Sequence, residues 1–297
     1  MTDQAPTGGS LTLLRKACSA AGLESTGATP YRLAENETWR LPTNIIARIG
    51  PPGQGTVAAR EVRLARWLAA HRIRTVVPIE VEQPVVVDGR PVTFWKEVPQ
   101  HEPGSALDAA NVLRALHCLP RPVNLDLGRL DPFVRLRDRI DAAVSLPIED
   151  RRWLRDYQDD LSRQWAAGLH TAHAECIVHG DAWSGNIVTT PAGPLVMDLE
   201  RASIGPLEWD LVSIAVRNRT TGTISFAEYE LFCEAYGYDV TTWSGYGLLA
   251  AIRELRIVSY AAQHSARNPA WQAEAVHRVN CLRGRSGPRP WTWKGIL

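Results

Sequence analysis

The stretch His179-Gly180-Asp181-Ala182-Trp183-Ser184-Gly185-Asn186 decides how this chain is read. An apolar run, Cys176-Ile177-Val178, precedes it, and a second, Ile187-Val188-Thr189, follows. Thr190-Pro191-Ala192-Gly193-Pro194 then reads as a turn, and Leu195-Val196-Met197 leads into Asp198. The pattern predicts short strands joined by a hairpin, with Asp181, Asn186 and Asp198 at strand ends and brought to one spot. Two carboxylates and an amide oxygen are hard donors of the kind Mg²⁺ prefers, with phosphate oxygens completing the shell.

The spacing suggests a division of labour known from phosphoryl transfer. There a loop Asp accepts the proton of the attacking hydroxyl, an Asn five residues on holds metal, and a later Asp holds the bridging metal. The stretch resembles the His-Gly-Asp-x-x-x-x-Asn signature of the aminoglycoside phosphotransferase and choline kinase family. The resemblance implies an α+β, two-lobed, protein-kinase-like fold. Its N-lobe would be a five-stranded antiparallel sheet with a helix, and its C-lobe mainly α-helical. It implies Asp181 as catalytic base, Asn186 and Asp198 as metal ligands, Mg²⁺ as cofactor, and ATP or GTP as phosphoryl donor. The protein-kinase Asp-Phe-Gly becomes Asp198-Leu199-Glu200, and Gly180 stands where protein kinases carry Arg, which favours the small-molecule branch. By the same resemblance His179 orients the loop, and Asp210, in Gly205-Pro206-Leu207-Glu208-Trp209-Asp210-Leu211, supports it through hydrogen bonds.

Upstream, three extended runs (28–34, 38–41 and 44–50) predict a meander. Its first turn, Glu35-Asn36-Glu37, has no glycine, so a glycine-rich phosphate loop is not expected. Arg48 interrupts the third apolar run. In the following helix Glu61 falls on the stripe of Val57, Leu64 and Leu68. A carboxylate on a core-facing stripe needs a partner, and Arg48 is the obvious one. The two resemble the strand-lysine and helix-glutamate pair of kinases, which touches the nucleotide phosphates, with Arg in place of Lys. Arg presents a planar fork where Lys is a point charge, so the exchange is not neutral. Residues 76–79, 83–88 and 92–95 read as further strands, with Asp88-Gly89 as a hairpin turn. Lys96, Glu97 and Val98 then look like the hinge whose backbone holds the nucleobase. This places a nucleotide-binding lobe at 1–99, with 1–9 disordered, and a catalytic and acceptor-binding lobe at 100–297. Helical patterns from Asp108, at 131–146, 149–172, 226–236, 244–264 and 269–283, fill the second lobe, and Trp291 and Trp293 in the tail are expected to pack back on it.

Composition narrows the function. The chain has 297 residues, 45% of them hydrophobic, enough for a sizeable core. A net charge of +1 gives no case for nucleic acid or a membrane surface, and no apolar run approaches a bilayer span. Five scattered cysteines form no disulfide or metal framework, and MTDQAPTGGS shows no secretory pattern, so a cytoplasmic location is expected. A monomer or homodimer acting on a small-molecule hydroxyl acceptor is the expected assembly. Residues 201–297 hold eight acids against eleven bases, a net +3 that suits a polycationic acceptor poorly. A sugar-bearing or nucleoside antibiotic is therefore the first expectation, and a classical aminoglycoside or a metabolite such as an amino sugar or choline the second. Two other readings stay open: a nucleotide-binding pseudokinase, and a metal-dependent hydrolase using the same carboxylates.

Overall fold

A computed structural model describes residues 8–33, 36–98, 100–171 and 173–295. The chain divides into two compact units that are not simple halves: residues 1–108, 119–127 and 184–202 form the first, and 109–118, 128–183 and 203–297 the second.

The first unit is built on an antiparallel sheet of β1 (Thr29–Leu33), β2 (Glu37–Leu41), β3 (Ile45–Ile49), β4 (Val85–Val87) and β5 (Arg90–Lys96), in the order β1-β2-β3-β5-β4. Five strands were expected. Residues 76–79, expected to be extended, form no strand of the ladder and join through an isolated bridge from Pro78 to Trp95 and single backbone hydrogen bonds of Lys96 N–H to Val77 O and Ile79 N–H to Phe94 O. Prolines at 78 and 84 each remove a ladder donor there, which limits pairing. Asp88 (φ 50°) and Gly89 (φ 75°) make the tight β4–β5 turn, both in the left-handed region that a two-residue hairpin demands.

The period-2 alternation sorts this sheet into two faces. Trp39, Leu41, Ala47, Ile49, Val92 and Phe94 are buried with Leu13, Leu14, Ala17 and Cys18 of α1 (Gly8–Ala20). Helix α1 thus begins at Gly8, inside the segment expected to be disordered, while residues 1–7 lie outside the described chain. Thr38, Arg48 and Thr93 are in register on the other face, where Arg48 meets Glu61 of α2 (Gly55–Ala70).

A second, small sheet of the same unit carries the metal-ligand candidates. β6 (Glu102–Pro103), β8 (Ile187–Thr190) and β9 (Gly193–Val196) run antiparallel in the order β6-β8-β9. Arg74 and Thr75 bind the hairpin from the side: Val196 N–H donates to Arg74 O at 2.9 Å, and Thr75 Oγ1 donates to Val196 O at 2.9 Å. Gly104 crosses so close that a Cβ would sit 2.3 Å from Ile187 O. Only glycine allows that approach.

In the second unit β7 (Cys176–Val178) pairs with β10 (Ser203–Gly205). This corrects the expectation that one hairpin gathers all three acidic-loop residues. The strand ahead of Asp181 belongs to a different sheet from the hairpin of Asn186 and Asp198. Around it lie α3 (Ala106–His117, whose last turns belong to this unit), α4 (Leu136–Ala142), α5 (Ile148–Ala166), α6 (Glu208–Arg219), α7 (Phe226–Tyr236), α8 (Tyr246–Arg267) and α9 (Gln272–Leu282). The helical pattern at 131–146 yields only the short α4. On α5 the buried stripe is Asp150, Leu154, Gln158 and Leu161, so Asp150 is not on the solvated face its charge suggests. It is paired with Arg283. Trp291 and Trp293 are buried as expected, and Arg289 of the tail grips the buried Glu254 with two hydrogen bonds of 2.8 and 2.7 Å.

Candidate active site

The expected site residues fall into two groups, one in each unit. In the second unit the organising group is Asp210, fully buried in the first turn of α6. Its carboxylate accepts hydrogen bonds from the backbone N–H of His179 at 2.6 Å and of Gly180 at 2.9 Å, and from His117 Nε2 at 3.1 Å. Burial opposes its ionisation. The hydrogen bond from His117 and the neighbouring His117, His179 and Arg253 outweigh that and hold its carboxyl below the ordinary value. Gly180 adopts φ 82°, a conformation costly for any side-chain-bearing residue, and its carbonyl accepts from Trp209 Nε1 at 2.9 Å and Arg253 Nη2 at 3.0 Å. His179 Nδ1 accepts from the Asp181 N–H at 3.2 Å, so that ring nitrogen holds the loop.

This clamp presents the Asp181 side chain 44% exposed, with Arg253 Nη1 at 3.4 Å from Oδ1. Arg253, from the middle of α8, also stacks on Trp209 at 3.9 Å. Burial pushes its pKa down to about 10, against the pull of Asp181 and Asp210. Arg217 of α6 lies over the Trp183 ring at 4.8 Å and is stabilised by the charge of Asp181.

In the first unit the β8–β9 hairpin does bring two of the three candidates together. Ile187 pairs with Val196, and Met197 N–H donates to Asn186 O at 2.7 Å, so Asn186 and Asp198 flank the open end of one ladder. Asp198 has φ 54°, a left-handed backbone that Asp tolerates better than most residues, and its side chain is 47% exposed. The Arg48–Glu61 pair is formed: Arg48 Nη1 donates to both carboxylate oxygens at 2.7 and 3.0 Å, and Glu61 is only 5% exposed. Arg48 Nη2 donates to Glu200 at 2.9 Å and lies 3.8 Å from Asp198. The Asn36 amide oxygen, in the orientation that satisfies its neighbours, accepts from Arg48 Nε at 3.2 Å and Nη2 at 2.7 Å. Three carboxylates thus face one guanidinium. Burial and the two extra anions push the Glu61 carboxyl up against the pull of Arg48. The same anions outweigh burial at Arg48 and hold its guanidinium charged.

At the expected hinge, Lys96 N–H donates to Val77 O and Glu97 N–H to Asn44 O, both at 2.8 Å. The Glu97 side chain pairs with Arg40 at 2.5 Å. Two backbone donors of the segment are therefore already engaged inside the first unit, which leaves Val98 as the next position along it. The first-turn residues 34 and 35 lie outside the described chain, as does Pro99.

Residues 28–255 match the family described as phosphotransferase enzyme family. The chain belongs to that family. Its expected fold and enzyme class are those of the family. Solved structures agree on the fold at low identity. An amicoumacin kinase solved with AMP-PNP, Ca²⁺ and amicoumacin superposes with a TM-score of 0.64 at 13% identity, covering 89% of this chain and 92% of that one. APH(2")-IIia, solved with GDP and kanamycin, gives 0.64 at 14% identity, covering 92% and 99%. Among curated proteins, cyclin-dependent kinase 4 of Mus musculus is 28% identical over 209 residues, 67% of this chain. The match spans 63% of that kinase's own length.

Within the family framework, three contributors escaped the sequence reading. Glu200 lies two residues past Asp198, where protein kinases carry Gly, and no role followed from that exchange. Asn36 belongs to a turn read only for its missing glycine. Arg253 carried a visible signal: with Glu254 and Arg256 it interrupts an otherwise apolar helix, Leu248-Leu249-Ala250-Ala251-Ile252, and buried charges need partners.

Proposed function

We propose that the protein is a small-molecule O-phosphotransferase, moving the terminal phosphoryl of ATP or GTP to a hydroxyl of a sugar-bearing or nucleoside compound. The observation that carries this reading is the clamped loop: Asp210 fixes the backbone on which Asp181 is held exposed, in a chain of the phosphotransferase family. In this reading Asp181 accepts the acceptor's hydroxyl proton. The freed oxygen bonds to the phosphorus, and the bond from phosphorus to the bridging oxygen breaks, releasing the nucleoside diphosphate. Residues 1–99 bind the nucleotide, with Lys96, Glu97 and Val98 along the base, and residues 100–297 carry the base and the acceptor.

Asn186 and Asp198 suit Mg²⁺. They offer hard oxygens on one ladder end, and the cluster of Glu61, Asp198 and Glu200 around Arg48 has excess negative charge. Among the described residues no three His, Cys, Asp or Glu side chains form a metal site by themselves, so the remaining oxygens come from the nucleotide. When bound, the ion neutralises charge on the phosphates. Asp198→Ala is expected to weaken Mg²⁺-dependent nucleotide binding as well as rate. Calorimetry showing unchanged affinity would reject the metal role.

The acceptor follows from charge. Of the eight acids in residues 201–297, six are committed internally: Glu208 to His173, Asp210 to the loop, Glu228 to the α7 cap, Asp239 to Tyr229 and Thr241, Glu254 to Arg289, and Glu274 to Arg278. That leaves little to gather a polycation, which favours a weakly charged acceptor over a classical aminoglycoside. Resistance by modification of an antibiotic, a cytoplasmic location and a monomeric or homodimeric state complete the proposal. No helix among the described residues is long and apolar enough to cross a membrane.

An acceptor screen with ATP and with GTP, read as the mass gain of one phosphoryl group, tests the proposal. Neutral sugar and nucleoside antibiotics should react ahead of kanamycin-like compounds; the opposite order overturns the acceptor assignment. The pseudokinase reading draws support from one observation, the engagement of Arg48 by Glu61, Glu200 and Asn36. Nucleotide binding without turnover on any acceptor would favour it.

A further inference from the structure

Several arginines that are buried or half-buried in this protein have carboxylate partners. Arg48 pairs with Glu61, Arg90 with Glu37, Arg278 with Glu274 and Arg283 with Asp150. Arg217, equally half-buried, has no carboxylate within ion-pair distance among the described residues. Its guanidinium rests instead on the face of Trp183 at 4.8 Å, an indole that is 37% exposed although large aromatics are ordinarily covered. Burial lowers its pKa, and the charge of Asp181 opposes that. Arg253 supplies a second cation at 3.4 Å from the same carboxylate. Arg253 is thus shared between Asp181 and the buried Asp210, and Arg217 is left with no carboxylate in contact among the described residues. An unpaired guanidinium in a partly desolvated position, with an aromatic floor, matches a planar or tetrahedral oxyanion.

We propose that Arg217 and Trp183 form an acceptor subsite for an anionic group, so that the molecule phosphorylated carries a carboxylate or phosphate near its reactive hydroxyl, with a flat or sugar face laid on the indole. This rests on the phosphoryl-transfer reading for the identity of the ligand as acceptor, but the anion subsite is measurable without turnover. The alternative use of Arg217, on the phosphoryl group in flight, predicts a different pattern: loss of rate on every acceptor irrespective of charge.

The test uses the full chain and the fluorescence that is lost on Trp183→Phe, so that the remaining tryptophans are subtracted. Iodide should quench the Trp183 component severalfold better than caesium, because the local field concentrates anions. R217Q should remove that preference, R217K should retain it, and neutral acrylamide should quench all three proteins alike. Glucuronate and glucose 6-phosphate should protect Trp183 from iodide, while glucose and glucosamine should not. Whichever of the two anions protects at lower concentration distinguishes a carboxylate from a phosphate ligand. Equal quenching by iodide and caesium, an unchanged preference in R217Q, or protection by glucose and glucosamine as strong as by glucuronate overturns the proposal. In turnover, R217Q should raise KM for an anionic acceptor far more than for its neutral analogue, with kcat less affected. A uniform fall in kcat would assign Arg217 to the phosphoryl group. If the anion is bound and no acceptor is ever phosphorylated, the phosphoryl-transfer reading fails and the subsite stands.

Discussion

Asp181→Asn is expected to lower phosphoryl transfer by about 10²–10⁴-fold, the usual worth of a positioned general base, with nucleotide affinity close to that of the unchanged protein. The amide keeps the shape of the side chain but cannot take the hydroxyl proton. The loop itself should hold, because its geometry is set by the Asp210 hydrogen bonds to His179 and Gly180 and not by the Asp181 carboxylate. One side effect is expected. Arg253 is buried against Trp209 and draws part of its stabilisation from Asp181, so the variant should melt somewhat earlier. Steady-state turnover and nucleotide titration on the same preparation separate the two effects. Turnover at the original rate would remove Asp181 from the chemistry.

Arg48→Ala should have the largest effect on stability, about 3–5 kcal/mol, the usual consequence of stranding a buried charge. Glu61 is almost completely buried and loses both hydrogen bonds, and Glu200 and the Asn36 amide lose theirs at the same time. Arg48→Lys should be milder but not silent, since an ammonium reaches fewer of these oxygens than a fork does. Adding Glu61→Gln to Arg48→Ala should recover part of the loss, because the stranded group is then neutral. Denaturant unfolding of the four proteins checks the series. If Arg48→Ala unfolds at the same midpoint as the unchanged chain, the cluster is not a stabilising one. Nucleotide titration of the same series addresses the phosphates. With its donors on Glu61, Glu200 and Asn36, Arg48 reaches a phosphate only by giving up one of these, Glu200 being the least buried carboxylate in hydrogen-bond contact.

Local signals carried much of this. Extended runs separated by turns placed the meander, a charge within an apolar run marked Arg48, and the Asp88-Gly89 turn fixed one hairpin. A charge on an apolar helical stripe foretold the Glu61 contact. What escaped depends on residues far apart in sequence. Arg48 and Glu200 are separated by 152 positions, and no spacing rule connects them. The pairing of β7 with β10 was invisible for the same reason, because nearest-neighbour reasoning joins consecutive strands. Asp150 stands among other charged residues on α5, and its partner Arg283 lies 133 residues downstream. Trp183 and Arg217 were each plain in the sequence, but nothing local says that they touch.

The ownership of residues 184–202 has a practical meaning for anyone recombining relatives of this protein. The chain passes from the second unit to the first between Trp183 and Ser184 and returns between Ala202 and Ser203. A hybrid made with a single crossover near residue 100 would graft a foreign β8–β9 hairpin onto the native Arg74 and Thr75, which hydrogen-bond Gly193 O and Val196 O of it. Exchanging the second unit whole calls instead for three transplanted blocks, 109–118, 128–183 and 203–297, with the native segments 119–127 and 184–202 left between them. The two units are in this sense written as interleaved text, and a cut in the chain at any single position divides at least one of them.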